Sequence, residues 1–388
     1  FCCTFMLPSK TSIGIIGGGQ LGKMLIEAGQ PWNIHYTILE MDNAPAKDIA
    51  NQHIVGSLQD AEKIKALALQ SDVLTYEIEH INVETLLELE AQGHKIIPSP
   101  KILSIIQDKG LQKLFFKANN IPSSPFELVD NASEWAAKLP ALNGQKVAAK
   151  LRKGGYDGKG VELVNKVDIE QHGKIPFEGA VVLEEFVENA IELSVIVARN
   201  EQGEICTFPT VEMAFDPKAN LVDILFAPAN ISEAIDQSAK AIAQKCIECL
   251  NGIGIFAVEM FLSQDGQILV NEIAPRPHNS GHHTIESSYT SQFEQHLRAI
   301  LNLPLGKTDS KVRGIMVNLV GEEGYNGNVV YENIENIMKM EGVTPHIYGK
   351  KQTRPFRKMG HVTIVHEDLN KARIIAEEVK NTIKVISK

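Results

Sequence analysis

The sequence has no long hydrophobic run, although 44% of its 388 residues are hydrophobic. A helix that crosses a bilayer needs about 18 or more consecutive apolar residues. We therefore expect no membrane-spanning segment and no membrane partner. Residues 1–8 contain neither a basic stretch nor an extended apolar core, so we expect no signal peptide. Residues 1–10 are interpreted as an extension outside the fold.

Cysteine and net positive charge are also scarce. Five irregularly placed cysteines are typical of a protein in a reducing cytosol, and we expect a cytoplasmic location. Cys246 and Cys249 form a C-x-x-C motif, but it lies in a helical pattern without a second pair nearby, which argues against zinc or redox use. The formal charge of −10 argues against nucleic-acid binding. An anionic ligand would need local clusters of Lys and Arg.

The length and the order of the patterns predict three α/β (α+β) parts. Strand and helix patterns alternate over residues 11–100, which predicts a parallel sheet covered by helices. One helix is expected from about Ile102 to Ala118. From Lys146 the chain reads as strands joined by short turns, and a small α/β module follows residue 306. We predict domains at 11–108, 109–305 and 306–388.

A predicted hairpin at 256–274 is the most informative stretch. Asp265-Gly266 is a strong signal for a two-residue loop, which would pair Gln264 with Gln267 and Glu259 with Glu272. Opposed carboxylates on one face of a sheet repel, unless a divalent cation lies between them. Asn271 adds an oxygen ligand that suits Mg²⁺. The alternative is a register slip that turns one Glu to solvent.

Two glycine-rich loops indicate anion binding. Gly17–Gly22 fits G-x-G-x-x-G between a strand and a helix, and Glu40 follows at the spacing of a dinucleotide site; other phosphate binding or plain packing is nevertheless the favoured explanation of the glycines. Lys150–Gly160 is a basic loop between two strands and lacks the Walker A spacing. Its backbone N–H groups could fold over phosphates, although a flexible surface turn is the alternative.

Two further segments have both a functional and an ordinary interpretation. The strand end at Glu184–Val187, with Glu192 shortly after it, could contact adenine and ribose or be an exposed acidic turn. The basic turn at 354–361 could clamp a phosphate or lie solvated on the surface.

Together and in this order, the segments resemble the ATP-grasp superfamily and, within it, the N5-carboxyaminoimidazole ribonucleotide synthetases of purine synthesis. Residues 17–24, 75–79, 154–160, 257–261, 271–282 and 357–361 carry the resemblance, which covers about 11–365. Segment 271–282 is the most specific, because other ATP-grasp enzymes share its carboxylate but not its HisAsnSerGlyHis sequence. The resemblance implies a biotin-carboxylase-like N-terminal domain, an ATP-grasp centre and a small C-terminal domain.

The resemblance also implies roles for individual residues. ATP would be bound by Lys109, Lys150, Gly155, Tyr156, Asp157, Gly158, Lys159, Gly160, Val161, Glu184, Glu185, Phe186, Val187, Glu192, Asn271 and Glu272, and Mg²⁺ by Glu259, Asn271 and Glu272. The reaction centre would contain Tyr156, Asp157, Lys159, Arg276, His278, Asn279 and Ser280. The substrate would be bound by Gly19, Gln20, Leu21 and Glu77, with its 5′-phosphate at Arg357 and Lys358.

The implied reaction is the ATP- and bicarbonate-dependent carboxylation of 5-aminoimidazole ribonucleotide through carboxyphosphate. The resemblance further implies a homodimer and product transfer to a separate mutase. Two positions depart from the family pattern: Lys109 replaces Arg, and Phe215 replaces a His near the nucleotide. The alternatives are a formate-dependent glycinamide ribonucleotide formyltransferase, an NAD-dependent dehydrogenase that uses Gly17–Gly22, and a catalytically silent nucleotide-binding protein.

Overall fold

The computed structural model describes residues 10–155, 160–216, 218 and 221–388. Its first elements are β1 (Ser12–Ile16), α1 (Gln20–Gly29), β2 (His35–Glu40), β3 (Gln52–Val55), α2 (Ala61–Ala68), β4 (Val73–Tyr76) and α3 (Val83–Ala91). The four strands form a parallel sheet in the order β3-β2-β1-β4. The predicted βαβ arrangement of this region is confirmed. Parallel order places the carboxyl ends of β1, β2 and β4 at one edge, where the Gly17–Gly22 loop lies.

Two helices connect this sheet to the rest of the chain, where a single helix was predicted. They are α4 (Pro100–Ile106) and α5 (Lys109–Ala118). The prediction of one continuous helix was wrong because Asp108 starts a new one: its carboxylate accepts hydrogen bonds from the backbone N–H groups of Gly110 and Leu111 at 2.8 and 3.2 Å. An Asp that caps orphan N–H groups favours a helix start over a helix interior.

A small antiparallel sheet follows. Its region contains β5 (Phe126–Val129), α6 (Trp135–Lys138), β6 (Lys146–Leu151), β7 (Val161–Asn165), α7 (Lys166–His172) and β8 (Val181–Glu185). The strand order is β5-β8-β6-β7. The Lys150–Gly160 loop connects β6 to β7 at one end of this sheet.

The largest sheet takes strands from the rest of the chain. Its region contains β9 (Ile191–Arg199), β10 (Ile205–Thr207), β11 (Val211–Asp216), β12 (Leu221–Ala227), α8 (Glu233–Leu250), β13 (Gly254–Leu262), β14 (Ile268–Ala274), α9 (Thr284–Ser287), α10 (Gln292–Ile300), β15 (Gly314–Val320), β16 (Gly327–Glu332), α11 (Ile334–Ile337), β17 (Val343–Ile347), β18 (Gln352–Thr353), β19 (Lys358–Val365), α12 (Leu369–Thr382) and β20 (Lys384–Ser387). The order is β14-β13-β9-β11-β12-β15-β19-β17, with β10 beside β9.

Strands of the predicted C-terminal module therefore extend the central sheet. Pairing of β12 with β15 and of β15 with β19 places Lys358 and His361 in the same sheet as Glu259 and Glu272. The remaining strands β18, β16 and β20 form a separate small sheet. This continuity brings the start of β19 to the cleft described below.

The main core lies between α8 and one face of β9 and β13. Phe116, Leu193, Cys246 and Phe256 are buried there. Cys246 is buried whereas Cys249 is exposed, so the two thiols of the C-x-x-C motif point to different environments. Among the described residues, no helix combines the length and the apolar character needed to cross a bilayer.

Candidate active site

The two carboxylates of the β13–β14 hairpin face each other as predicted, but the turn and the strand register that bring them together differ from the prediction. Glu259 pairs with Glu272. The turn, however, is one residue longer than expected: Ser263 donates to the Gln267 carbonyl, and Gly266 has φ +85°. The predicted pairing of Gln264 with Gln267 was therefore wrong.

A bulge in β14 restores the register. Met260 pairs with Val270 and Glu259 with Glu272, which leaves Asn271 as the extra residue. Without a bulge, Asn271 and Glu272 would point to opposite faces, because side chains alternate along a strand. The bulge re-aims one of them, and Asn271 and Glu272 both line the larger of the two cavities described below.

Two lysines contact this carboxylate and amide group. Lys109, at the first position of α5, forms an ion pair with Glu272, and its charge lowers the pKa of Glu272 well below the usual range. Lys150 Nζ donates to Asn271 Oδ1 at 2.7 Å. The side-chain oxygens of Glu272 and Asn271 therefore contact lysine ammonium groups. Oxygen ligands and cations placed together in this way suit the binding of a metal–phosphate complex.

A buried ion triad fixes Lys150. Glu184 forms ion pairs with Lys113 and Lys150, both at 3.0 Å, and the side chains of Glu184 and Lys113 are 4% and 2% exposed. Burial raises the pKa of Glu184, but the two lysine charges and their hydrogen bonds outweigh it and leave the pKa lowered. Glu184 thus holds Lys150 at the cleft.

A polar chain leads from Glu259 into the protein. His278 Nε2 lies 3.1 Å from Glu259 Oε1, and His278 Nδ1 accepts from the Ser280 backbone N–H at 3.3 Å. Because Nδ1 accepts, the proton of this ring lies on Nε2 and points at Glu259. Ser280 Oγ lies 2.9 Å from His278 Nδ1 and 2.8 Å from Ser194 Oγ. This series of hydrogen bonds orients His278 beside the carboxylate pair.

Two cavities meet at these residues. The larger, of about 730 Å³, is lined by Lys150, Gly155, Val161, Glu184–Val187, Glu192 and Asn271. The smaller, of about 590 Å³, is lined by Gly19–Leu21, Glu77, Arg276, His278, Asn279 and Lys358. Both are lined by Lys109, Gly155, Phe215, Glu259 and Glu272. Groups bound in the two cavities would therefore meet at the carboxylate pair.

Glu192 lies in the larger cavity in an environment that disfavours its charge. Burial, followed by the like charge of Glu259, raises the pKa of Glu192 to about 7. A carboxyl group of this kind can donate or accept a hydrogen bond near neutral pH.

The Gly17–Gly22 loop already binds carboxylates of the chain itself. Gly19 N–H donates to Glu77 Oε1 at 2.6 Å, and Gly18 N–H donates to Glu40 Oε2 at 3.3 Å. A Cβ on Gly17 would lie 2.5 Å from Glu77 Cγ, which explains the glycine by packing. These N–H groups do not point at a pyrophosphate site, which disfavours the dinucleotide interpretation.

Several residues that were predicted for the site do not line either of the two cavities. Arg357 donates from Nη1 to the Gln352 carbonyl at 2.6 Å and lines neither cavity. Ser280 is buried behind His278. Gly160 has φ +78° and accepts from Leu151 N–H through its carbonyl at 2.8 Å. Tyr156, Asp157, Gly158 and Lys159 lie outside the described residues. The roles of these four residues stay predictions.

The sequence did not reveal the residues that position the site. Lys113 and Asp108 lie in a region that was interpreted as ordinary helix, and Arg152 lines the smaller cavity from the base of the basic loop. Their partners are distant in sequence, so no local pattern could identify them. One signal was available: a lysine on the buried face of a helix needs a carboxylate partner.

The oxygen donors of Glu259, Asn271 and Glu272 fit Mg²⁺. Within the described ranges, no three His, Cys, Asp or Glu side chains form a metal-binding group. Mg²⁺ does not require one, since it is usually bound by one or two carboxylates and completes its shell with phosphates and water.

Three family models match the chain. A ribonucleotide synthetase preATP-grasp domain matches residues 10–107, an ATP-grasp domain matches 114–293, and a phosphoribosylaminoimidazole carboxylase C-terminal domain matches 314–374. Between them, the three matches leave residues 108–113 and 294–313 uncovered.

Curated relatives cover nearly the whole chain. N5-carboxyaminoimidazole ribonucleotide synthase of Bacillus subtilis is 38% identical over 358 residues, which are 92% of this chain and 91% of the relative. Phosphoribosylaminoimidazole carboxylase of Ogataea methanolica is 39% identical over 94% of this chain, and that of Saccharomyces cerevisiae 38% over 92%. The chain spans only 68% and 64% of these two longer yeast proteins.

Solved structures agree in fold. N5-carboxyaminoimidazole ribonucleotide synthetase from Thermotoga maritima has a TM-score of 0.87 at 47% identity and covers 97% of this chain and 100% of its own. The Aspergillus clavatus synthase in complex with ADP and 5-aminoimidazole ribonucleotide has a TM-score of 0.88 at 33% identity, with 96% and 98% coverage.

Proposed function

The chain belongs to the N5-carboxyaminoimidazole ribonucleotide synthase family, and from this premise we propose that it carboxylates 5-aminoimidazole ribonucleotide with ATP and bicarbonate. One observation carries the assignment to particular residues: a larger and a smaller cavity meet at Glu259 and Glu272. ATP would occupy the larger cavity and the ribonucleotide the smaller one. Phosphoryl transfer asks the protein mainly for positioning and charge neutralisation, and this junction offers both.

The first chemical step joins bicarbonate to the γ-phosphate. A bicarbonate oxygen attacks phosphorus, the bond to the ADP oxygen breaks, and carboxyphosphate and ADP form. Lys109 and Lys150 lie where cations would contact the phosphates. Glu259, Asn271 and Glu272 would hold Mg²⁺, which would neutralise phosphate charge. Carboxyphosphate then releases CO₂ and phosphate.

The second step forms the carbamate. The exocyclic amine of the ribonucleotide attacks CO₂ and loses a proton to give the N-carboxy product. His278 and Asn279 line the smaller cavity beside the carboxylate pair, where they would orient this acceptor. Enclosure by the Lys150–Gly160 loop would exclude water from the labile carboxyphosphate.

The function is tested by phosphate release from ATP with Mg²⁺ and bicarbonate, measured with and without 5-aminoimidazole ribonucleotide. Strong stimulation by the ribonucleotide is expected. Stimulation by formate and glycinamide ribonucleotide instead would identify a formyltransferase. A rate of phosphate release that neither ribonucleotide changes would overturn the substrate assignment.

A cytoplasmic location, a homodimer and transfer of the product to a separate mutase belong to the same proposal. They are supported by the family membership and by the low cysteine content. Sedimentation at two protein concentrations tests the dimer.

A further inference from the structure

His282 is a buried side chain of the smaller cavity for which the proposed reaction gives no role. It follows the short turn Asn279–Gly281, it is 1% exposed, and it lines the smaller cavity. Lys358, Arg276 and His278 line the same cavity. A nearly inaccessible imidazole in such a wall needs a hydrogen-bond partner for each ring nitrogen.

One ring nitrogen has a partner whose orientation is fixed. Gln292 Oε1 accepts from the His278 backbone N–H at 2.9 Å, and Gln292 Nε2 donates to the His278 carbonyl at 2.7 Å. These two bonds decide which end of the Gln292 amide is nitrogen. Gln292 Nε2 also lies 3.2 Å from His282 Nδ1. Since that amide nitrogen can only donate, His282 Nδ1 accepts.

The proton of His282 therefore lies on Nε2. In a neutral imidazole one nitrogen accepts and the other donates. Burial lowers the pKa of His282 well below its usual range, and the charge of Lys358 lowers it further, so the ring stays neutral near pH 7. Within the described residues, Nε2 makes no hydrogen bond and is not among the fully buried polar atoms that lack a partner, so it keeps some exposure on a residue that lines the smaller cavity.

Aromatic neighbours hold the ring in place. His282 stacks on Phe293, with ring centroids 5.9 Å apart, and packs in a tilted arrangement against His361, with centroids 4.7 Å apart. Gly281 allows the close approach of Gln292, because a Cβ there would lie 2.4 Å from Gln292 Oε1. The orientation of the Nε2–H is thus set before any ligand arrives, which lowers the entropic cost of binding.

We propose that His282 is a substrate-binding residue that donates its Nε2–H to an acceptor atom of the ribonucleotide in the smaller cavity. The inference rests on the proposed function and adds a residue to it. A neutral donor suits this position, because four cationic side chains already line the same cavity, namely Lys109, Arg152, Arg276 and Lys358. A neutral imidazole strengthens binding of the ribonucleotide without adding a further charge.

Two substitutions separate the donor from the ring. The side-chain amide nitrogen of His282→Gln can reach the place of Nε2, whereas that of His282→Asn reaches only the place of Nδ1. Both lose the aromatic stacking, so the difference between them reports on the Nε2 donor. We expect His282→Asn to raise the KM for 5-aminoimidazole ribonucleotide about 10-fold or more, and His282→Gln to stay within about 3-fold of wild type. The KM values for ATP and bicarbonate should not change in either variant.

Equal losses in the two variants, equal retention of activity, or a loss confined to ATP or bicarbonate would each overturn the proposal. If neither variant folds, ¹⁵N-histidine NMR of the wild type provides the test: a non-titrating Nε2–H imidazole should shift when the ribonucleotide is added, and the absence of such a shift contradicts the proposal. A wild type whose phosphate release ignores the ribonucleotide would instead refute the proposed function, which is a separate result.

Discussion

Asp108 accepts two hydrogen bonds from the Arg152 guanidinium, from Nε and Nη2, each at 2.9 Å. The same carboxylate caps α5, and the Lys109 backbone N–H donates to the Arg152 carbonyl at 2.9 Å. The start of α5 is therefore tied to the base of the Lys150–Gly160 loop. This link positions Lys109 between the two cavities, where it contacts Glu272.

Arg152→Lys should weaken ATP binding with little effect on folding. Lysine keeps the charge but cannot form the bidentate pair of hydrogen bonds to Asp108, so Lys109 loses its fixed position. We expect the KM for ATP to rise about 10-fold, since a charged hydrogen bond contributes about 1.5–3 kcal/mol. Arg298→Lys is the control, because Arg298 also donates from Nε and Nη2 to a carboxylate, in this case to Oε1 of Glu294 alone, and lines neither cavity. Equal effects in the two variants would contradict the role of Arg152.

Glu272→Gln should abolish ADP formation and leave the fold intact. The substitution removes one of the two opposed carboxylates and the partner of Lys109. ADP production measured with saturating ATP and Mg²⁺ checks this, with Glu170→Gln at an exposed position as the control. Near-normal turnover in Glu272→Gln would refute the metal assignment, and an altered circular dichroism spectrum would show that the loss is structural.

Lys113→Met should destabilise the protein strongly. Removing one member of the buried Lys113–Glu184–Lys150 triad leaves Glu184 with a single cation, and breaking buried pairs costs about 3–5 kcal/mol. The free energy of unfolding in urea measures the effect. Lys218→Met is the control, because the Lys218–Glu323 pair is 76% and 63% exposed and such pairs contribute about 0–1 kcal/mol. A loss below about 1 kcal/mol for Lys113→Met would contradict the triad's structural role.

The raised pKa of Glu77 should make the free energy of unfolding decrease as pH rises. Burial, only partly offset by the hydrogen bond from Gly19, raises the pKa of Glu77 from 4.5 to about 7 in the folded state. Between these pH values the unfolded chain releases a proton that the folded chain keeps, so the free energy of unfolding decreases with pH and levels off above 7. The full effect is about 3 kcal/mol. Unfolding of Glu77→Gln at pH 5 and pH 8 should show a smaller decrease than wild type, and an identical decrease would contradict the shifted pKa.

Local chemistry in the sequence predicted the centre of the site. Asp265-Gly266 and the apolar runs around it were sufficient to pair Glu259 with Glu272. The pairing was right because two departures cancelled: the turn is one residue longer than predicted, and the bulge at Asn271 restores the register. Neither departure has a local signature as strong as the Asp-Gly signal, so the sequence could not reveal them.

Contacts between distant residues could not be predicted. Asp108 and Arg152 are 44 residues apart in the sequence, so their contact depends on tertiary folding. The extension of the central sheet by β15 and β19 is likewise a tertiary property. A pattern of hydrophobic residues identifies a strand but does not specify its neighbour.

The most direct test of the account is the fate of a bicarbonate oxygen. With ¹⁸O-labelled bicarbonate, ATP and 5-aminoimidazole ribonucleotide, attack of bicarbonate on the γ-phosphate leaves one bicarbonate oxygen on phosphorus when carboxyphosphate breaks down. Mass spectrometry of the released phosphate should therefore show one ¹⁸O for each phosphate formed. Unlabelled phosphate, released at the normal rate with the carboxylated product, would show that water and not bicarbonate attacks at the junction of the two cavities, and would contradict the account.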